Sequence, residues 1–216
     1  MKIIQRESNY LKSNEFIILD DSAGCIIDPF VDKELDKILE YRRLDYLFLT
    51  HEHYDHISGV NYWKEKYPET KVLCSEICAK NISNANKNLS IHFDAFCKLQ
   101  TWVKDQSEIL PVNYYCNADI TFDSYSVLYW NNHKIEMYKT LGHSEGSSMY
   151  LFDEKYLFSG DSIFKEFPVF TMLYKNGKND FKNITLPIIN SFNKEIMVYP
   201  GHFSSFLLKE AYIFRR

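Results

Sequence analysis

Four side chains that can bind metal ions lie close together near residue 51 of this sequence. They are His51, His53, Asp55 and His56, in the segment His-Glu-His-Tyr-Asp-His. Neutral imidazole nitrogens and carboxylate oxygens are the ligands that zinc, iron and manganese accept in proteins. The apolar run at 46–50 precedes this segment and is typical of a buried strand. The pattern predicts a metal-dependent enzyme, whose remaining ligands lie elsewhere in the chain.

Three further candidate ligands, His143, Asp161 and His202, each follow an apolar, strand-like segment by a few residues. A glycine stands immediately before each of them, where the backbone often needs unusual dihedral angles or a close approach. If the preceding strands end at a common sheet edge, these side chains converge from distant parts of the chain on one cleft. The elements that position the ligands are therefore expected to be strands, with the ligands on the loops that follow.

Several helices and hairpins are expected around these strands. Apolar residues at helical spacing predict helices over 32–41 and 58–67, the second ending before Pro68. In the second half, strands at 125–130 and 133–139 flank the two-residue turn Asn131-Asn132. A second hairpin is predicted over 148–158. The strand count alone allows several α/β arrangements.

The motifs around the ligands occur in a fixed order along the chain. They read H-x-H-x-D-H from residue 51, G-H-[ST]-x-G-S from residue 142, S-G-D from residue 159 and P-G-H from residue 200. This order resembles the metallo-β-lactamase-fold hydrolases and, within them, the glyoxalase II branch. The early strand that ends in Asp28-Pro29 also resembles that family. The resemblance implies a four-layer αββα sandwich, formed as a single metallo-hydrolase domain over residues 1–216.

The resemblance also implies two metal sites that share one carboxylate, since seven ligands are too many for one tetrahedral zinc. It assigns the ligands as follows: His51, His53 and His143 to the first metal, Asp55, His56 and His202 to the second, and Asp161 as the bridge between them. We expect two divalent ions, with zinc preferred and iron or manganese as the alternatives.

A pair of metals predicts hydrolysis by a hydroxide held between them. Two divalent cations, two carboxylates and one hydroxide leave a net charge of about +1, which favours deprotonation of water near neutral pH. Asp55 and Asp161 are the carboxylates predicted to take part in catalysis, although Asp55 could act as a general base rather than a ligand. Asp28 has two open interpretations: it either supports a ligand imidazole from behind or caps a turn.

Two segments are predicted to form an apolar substrate pocket. A helix is expected over 93–103, within a helical insertion at 77–113 that either walls the site or packs on the flank of the sandwich. Apolar residues also follow Asp161 closely: Ile163, Phe164, Phe167, Phe170, Met172, Leu173 and Tyr174. Such walls favour a small-molecule substrate that carries an acyl or aryl group.

The leading prediction is therefore a dinuclear metal hydrolase that cleaves a small thioester, ester or lactone. The chain ends at residue 216, shortly after His202, which leaves no room for the C-terminal helical region that holds glutathione in glyoxalase II. A glutathione thioester is accordingly a less expected substrate. The alternatives are a phosphodiesterase and an oxidoreductase that resembles the mononuclear-iron persulfide dioxygenases.

Composition limits the other function classes. The formal net charge is −4, and no stripe of basic residues favours binding to nucleic acid. No signal peptide or apolar run of membrane-spanning length is visible, so neither a membrane nor export is expected. The five cysteines form no CxxC motif, and free buried thiols in a reducing compartment suit them best. We therefore expect a cytoplasmic protein.

Overall fold

Two six-stranded sheets form the centre of the protein, for which the computed structural model describes residues 1–39, 41–103 and 112–215. In the first sheet the strands lie side by side in chain order: β1 (Lys2–Glu7), β2 (Asn14–Asp20), β3 (Ala23–Ile27), β4 (Arg43–Phe48), β5 (Lys71–Ser75) and β6 (Ile120–Phe122). The second sheet is built in the same manner: β7 (Tyr125–Trp130), β8 (His133–Lys139), β9 (Ser148–Phe152), β10 (Tyr156–Gly160), β11 (Met197–Pro200) and β12 (Phe206–Leu207).

Both sheets are mixed. Strands β3 to β6 run parallel to one another, as do β10 and β11, whereas the other neighbouring pairs are antiparallel. Each parallel neighbour requires a crossover connection, and helices supply several of these. The described helices are α1 (Lys33–Leu39), α2 (Tyr54–Ile57), α3 (Val60–Lys66), α4 (Glu76–Ile82), α5 (Phe93–Lys98), α6 (Gly177–Asp180) and α7 (Leu186–Ser191). Among the described residues, no helix has the length and apolar character needed to span a membrane.

Three apolar clusters separate four layers. Strand β2 shows why: successive side chains point to opposite faces of a strand, so Phe16 and Ile18 pack between the sheets while Ile17 packs toward the first helical layer. Because β2 is buried on both faces, it reads as a continuous apolar run. The third cluster, which includes Ile189 of α7, lies between the second sheet and its helices. The αββα sandwich implied by the resemblance is thus confirmed.

The layer between the sheets is rich in aromatic side chains. Phe48 contacts Tyr150 and Phe152 with ring centroids 5.1 and 5.9 Å apart, and Phe158 lies 5.3 Å from Phe152. Burying each such ring contributes about 1.5–3 kcal/mol. Edge-to-face contacts add to that stabilisation. Much of the high aromatic content of the sequence therefore serves the core, in particular at the strands that lead to the ligand loops.

Several element boundaries differ from the sequence-based expectations. The helix expected over 93–103 ends at Lys98, and the one expected over 32–41 is found at Lys33–Leu39. Part of the insertion expected at 77–113 falls on residues 104–111, outside the described part of the chain, and the rest contains most of α4 and all of α5. Strand β1 was not predicted from the sequence. Its side chains are partly exposed and several are charged, which suits the edge of a sheet, and they do not show the alternation of apolar and polar residues that is typical of a half-buried strand.

Candidate metal centre

All seven candidate ligands lie shortly after strand ends, five of them on loops and two, Asp55 and His56, in the short helix α2. The first motif follows β4, and the other three ligands, His143, Asp161 and His202, follow β8, β10 and β11. At two of the glycines that precede ligands, no larger residue would fit. Gly160 has a φ of +48° and its α-carbon faces Thr50, so a side chain there would overlap the threonine hydroxyl. A side chain at Gly201 would overlap Asp161 Oδ1.

The first group consists of His51, His53 and His143, all buried, with one potential ligand atom from each within 4.8 Å of the others. His143 Nε2 lies 3.1 Å from His53 Nδ1. The other nitrogen of His143, Nδ1, lies 3.2 Å from the Phe170 carbonyl oxygen and can only donate to it. His143 Nε2 therefore carries a lone pair that points at His53, the arrangement expected where a cation is held between two imidazoles.

The protonation of His51 follows from its neighbours. The Thr50 hydroxyl donates to Asp28 Oδ2 at 2.6 Å, so it accepts from His51 Nδ1, which lies 3.0 Å away. The second nitrogen, Nε2, is then an acceptor in the neutral ring. This atom is buried and has no hydrogen-bond partner. Because a buried acceptor without a partner is costly, His51 Nε2 fits a metal ligand.

The second group consists of Asp55, His56 and His202, again with ligand atoms within 4.8 Å of one another. His56 Nε2 lies 3.3 Å from His202 Nε2, and Asp55 Oδ2 lies 3.5 and 3.6 Å from these two nitrogens. The other nitrogen of His56, Nδ1, lies 3.1 Å from Asp28 Oδ2. Asp28 thus contacts an imidazole from behind, which favours the first of its two interpretations.

Asp161 lies between the two groups. Its Oδ2 is 3.5 Å from His143 Nε2 in the first group and 3.5 Å from His202 Nε2 in the second, and its Oδ1 is 3.8 Å from His56 Nε2. Asp161 Oδ1 is also buried without a hydrogen-bond partner. A carboxylate in this position can serve both groups at once. The donor set as a whole therefore fits two metal ions that share Asp161.

The pKa values divide the histidines into the same two groups. Burial lowers the pKa of His51 well below its ordinary value, and it lowers the pKa of His53 and of His143 to about 4. Burial acts in the same direction on His56, but Asp55 and Asp161 outweigh it and raise the pKa to about 10. The first group therefore offers neutral imidazoles as ligands at neutral pH.

The second group has a negative environment that attracts any cation. Burial would lower the pKa of His202, but the carboxylate of Asp161 raises it. Burial has the opposite effect on a carboxyl group and would raise the pKa of Asp161, but His202, His56 and His143 hold that pKa well below its ordinary value. The carboxylates that retain protons on these histidines are the same groups that would attract a divalent ion.

A buried glutamate, Glu52, supports the loop that carries His143. Its carboxylate accepts hydrogen bonds from Asn81 Nδ2 and from Ser144 Oγ, both at 2.8 Å. No side chain fits at Gly146, because it would overlap Glu52 Oε2. No role was predicted for Glu52, because it occupies a variable position of the motif between two ligands. The one available signal was a charged residue two positions after the buried strand predicted at 46–50.

Ser13 and Asn14, at the start of β2, support the second group and were also missed. The Ser13 hydroxyl donates to the Asp55 carbonyl at 2.9 Å. Asn14 Nδ2 donates to the carbonyls of Pro200 at 2.9 Å and of Phe203 at 2.7 Å, on either side of His202. The backbone N–H of Asn14 also donates to the Gly201 carbonyl at 2.7 Å. Polar residues at the start of a strand look like ordinary turn residues in the sequence.

An apolar cavity of about 210 Å³ opens beside the first group and reaches Asp55. Its lining residues come from both segments that the sequence predicted as walls, from the first ligand motif and from the N-terminal hairpin: Leu11, His53, Tyr54, Asp55, Leu89, Phe93, Phe96, Phe170 and Leu173. Trp102 is not among them. Its indole nitrogen donates to the Tyr10 carbonyl at 2.8 Å, because helix α5 has ended before it.

The remaining histidines lie apart from the centre. His133 bonds with Asp153 at 2.6 Å and lies 3.4 Å from Asp20, at the tip of the β7–β8 hairpin. His92 is exposed in a short 3₁₀ turn before α5. The five cysteines are free and buried. None of these residues belongs to either ligand group.

Comparison with known proteins agrees with this architecture. The family model described as the metallo-beta-lactamase superfamily matches residues 11–202. The match extends from the residues before Ser13 to His202 and therefore includes all seven candidate ligands. The chain belongs to the metallo-beta-lactamase superfamily.

Two curated relatives illustrate the range of sequence similarity. A probable metallo-hydrolase of Streptococcus pyogenes serotype M6 is 25% identical over 206 residues, which cover 94% of this chain and 84% of the relative. A hydroxyacylglutathione hydrolase of Francisella philomiragia is 24% identical over 201 residues, which cover 90% of this chain. The chain spans 64% of the length of that hydrolase and 50% of a similar one from Francisella tularensis subsp. novicida.

Solved structures show the same fold at low sequence identity. The B3 metallo-beta-lactamase BLEG-1 has a TM-score of 0.77 and 22% identity, and the match covers 97% of this chain and 95% of that one. ETHE1 from Myxococcus xanthus has a TM-score of 0.67 and 18% identity, with 97% of this chain and 81% of that one covered. Because both identities are low, these matches establish the fold alone.

Proposed function

We propose that this protein is a hydrolase that uses two divalent metal ions to cleave a small thioester, ester or lactone with an apolar acyl or aryl group. One observation carries the proposal: two groups of three ligand atoms share Asp161 and adjoin an apolar cavity. The hydrolase names of the relatives from Streptococcus and Francisella support the same class of reaction.

In this proposal His51, His53 and His143 hold the first metal, and Asp55, His56 and His202 hold the second, with Asp161 shared. Zinc suits this imidazole-rich donor set best. When bound, two such ions lower the pKa of water and polarise a carbonyl group. Seven ligands leave little reason for a mononuclear oxidoreductase, in which the second group would have no role.

The residues of the chain itself account for orientation and selectivity. Thr50 and the Phe170 carbonyl direct the Nδ1 protons of His51 and His143 away from the centre, so that both Nε2 atoms face it. Phe93 and Phe96 provide an apolar wall that excludes water from one side of the substrate. Each methylene buried there is worth ~0.8 kcal/mol, and this gain favours acyl chains over small polar groups.

A cytoplasmic location is part of the same proposal. The five cysteines are free and buried, including Cys74 and Cys78 near the first motif, and burial raises the pKa of the Cys78 thiol well above its ordinary value. Thiols that are buried and protonated are inert, which suits a reducing compartment.

The test begins with metal analysis of protein purified without added metal, followed by reconstitution with zinc, iron or manganese. A panel of acyl thioesters, lactones and bis(4-nitrophenyl) phosphate is then assayed, with oxygen consumption followed in parallel. We expect two metals per chain and cleavage of thioesters or lactones. Saturation at one metal, cleavage of the phosphodiester alone, or oxygen uptake with a persulfide would each overturn the proposal.

A further inference from the structure

A second apolar cavity, of about 350 Å³, opens beside His202. Four phenylalanines contribute to its wall, and three of them, Phe164, Phe167 and Phe203, pack against one another. The rings of Phe164 and Phe167 are 4.8 Å apart between centroids, and Phe203 stands edge-to-face on Phe167 at 5.2 Å. Phe167 and Phe203 are 37% and 56% exposed, so the cluster is open to a ligand rather than closed into the core.

Phe203 is held in a backbone conformation that a phenylalanine rarely adopts. Its φ is +71°, in the left-handed region. Its carbonyl oxygen accepts hydrogen bonds from Asn14 Nδ2 at 2.7 Å and from Gln5 Nε2 at 3.0 Å. Such strain persists only where surrounding contacts enforce it, and it is common at ligand-binding sites. The effect here is to fix an exposed ring next to His202.

The charged residues in the wall of this cavity are already paired. Lys165 forms an ion pair with Glu210 at 2.8 Å, and Glu166 forms two hydrogen bonds of 3.1 Å with Arg215. The cavity therefore offers a ligand aromatic surface rather than an unpaired charge. An apolar group of matching size is the occupant that this chemistry favours.

The two apolar cavities have no lining residue in common, yet both reach the candidate metal centre. Asp55 lines the first cavity and His202 lines the second, and Asp55 Oδ2 lies 3.6 Å from His202 Nε2. A scissile bond held at the centre therefore has an apolar cavity available for the group on each side of it.

We propose that the cavity formed by Phe164, Phe167 and Phe203 binds an apolar leaving group, while the cavity formed with Phe96 binds the acyl group. The inference rests on the proposed function. In the reaction, the oxygen of water joins the carbonyl carbon, the bond from that carbon to sulfur or oxygen breaks, and the leaving atom takes up a proton. The substrate class is thus a thioester or ester of an alkyl or aryl thiol or alcohol, apolar on both sides.

Two series of thioesters test this assignment on the zinc-loaded full chain. In one, the acyl group grows from acetyl to octanoyl with S-methyl constant; in the other, the S-alkyl group grows from methyl to hexyl with acetyl constant. We expect kcat/KM of wild type to rise by about fourfold per methylene in both series until each cavity is full. Phe203→Ala is expected to flatten only the S-alkyl series, and Phe96→Ala only the acyl series.

Tyr129→Ala is the matched control, since Tyr129 is an aromatic residue, 73% exposed on the edge strand β7 and outside both cavities. It should reproduce both wild-type profiles. Phe167→Ala replaces Phe203→Ala if the latter fails to fold. A flat S-alkyl series in wild type, with a rising acyl series, would refute the leaving-group cavity and leave the hydrolase standing. Flattening of the acyl series by Phe203→Ala would refute the assignment of the two cavities.

A binding measurement keeps the inference separate from catalysis. Fluorine NMR would follow the binding of 4-fluorobenzyl alcohol to metal-free wild type, Phe203→Ala and Tyr129→Ala. We expect the affinity to fall at least fivefold in Phe203→Ala and to stay unchanged in Tyr129→Ala. Binding that is absent from wild type, or equal in all three proteins, would overturn the inference. Selective loss of binding in Phe203→Ala without turnover of any ester would leave the cavity as an apolar ligand site but would overturn the proposed function and, with it, the leaving-group role.

Discussion

Replacement of Asn14 by alanine should weaken the second metal site far more than the first. Asn14 is fully buried, and its side chain makes three hydrogen bonds: to the Pro200 carbonyl at 2.9 Å, to the Phe203 carbonyl at 2.7 Å and from Gln5 Nε2 at 2.9 Å. The two carbonyls lie on either side of His202. Removal of the amide therefore frees the loop that presents one ligand of the second group, whereas the ligands of the first group keep their contacts.

The magnitude follows from the number of bonds. Each buried hydrogen bond contributes about 1 kcal/mol net, so Asn14→Ala should lower the free energy of unfolding by about 3 kcal/mol. For a chain of this length that corresponds to a fall of roughly 6–12 °C in Tm. Loss of a group that orients a ligand typically lowers metal affinity about 10–100-fold. We expect a loss of that size at the second site only.

Asn88→Ala provides a control of equal severity. Asn88 is also fully buried and makes three side-chain hydrogen bonds, to the carbonyls of Ile82 and Tyr114 and from the Ser90 amide, but its side chain contacts none of the candidate ligands. Chemical unfolding would be measured on metal-free protein, because a bound metal adds its own stabilisation. Zinc affinity would be measured by competition with a chromophoric chelator.

The two variants should lose similar stability, but only Asn14→Ala should bind zinc more weakly at the second site. Equal zinc titrations for Asn14→Ala and Asn88→Ala would refute the positioning role of Asn14. Loss of both zinc ions in Asn14→Ala, without global unfolding, would show instead that the two groups do not behave as separate sites.

Three further predictions concern the shared carboxylate, the metals and a buried glutamate. Asp161→Ala should lower zinc affinity at both sites and abolish hydrolysis. His133→Ala should keep zinc affinity and hydrolysis within about twofold of wild type, because His133 lies outside the ligand groups. Comparable damage by the two substitutions would refute the ligand assignment. Dialysis against a chelator should lower the Tm and remove activity, and zinc should restore both; full activity in metal-free protein would contradict the metal requirement. Glu15 is fully buried, and burial raises the pKa of its carboxyl group well above the ordinary value. The protonated side chain therefore stabilises the fold fully below about pH 4, and this contribution is lost as the pH rises toward the raised pKa. Glu15→Gln should therefore have a higher Tm than wild type at pH 8 and a flatter dependence of Tm on pH between 5 and 8; a lower Tm at pH 8 would contradict the proposed cost of ionising Glu15.

Local patterns in the sequence were sufficient for the superfamily, the candidate ligands and several strands. A cluster such as His51 to His56 is informative because ligand atoms of the right type must occur at short spacing wherever a strand end holds a metal. The hairpin of β7 and β8 was predicted with the observed bounds, since its turn is local and Asn131 tolerates the positive φ of +51° found there. These features depend on residues near one another in the chain.

Only the tertiary structure decided which atoms face the centre and which side chains support them. The tautomer assigned to His51 depends on Thr50 and Asp28, and the loop of His202 depends on Asn14, which lies nearly the whole chain away. No periodicity or motif encodes such contacts, because each is made by one polar side chain with a partner that only the fold brings near.

The predicted walls of the apolar pocket show the same division. The sequence predicted apolar segments on both sides of a pocket, but it could not decide that Phe96 lines the cavity while Trp102 turns away to Tyr10. Helical periodicity assigns faces only while the helix continues, and α5 ends at Lys98. Residue types identified the candidate metal ligands. The packing of distant loops determined which apolar side chains line the cavities beside those ligands.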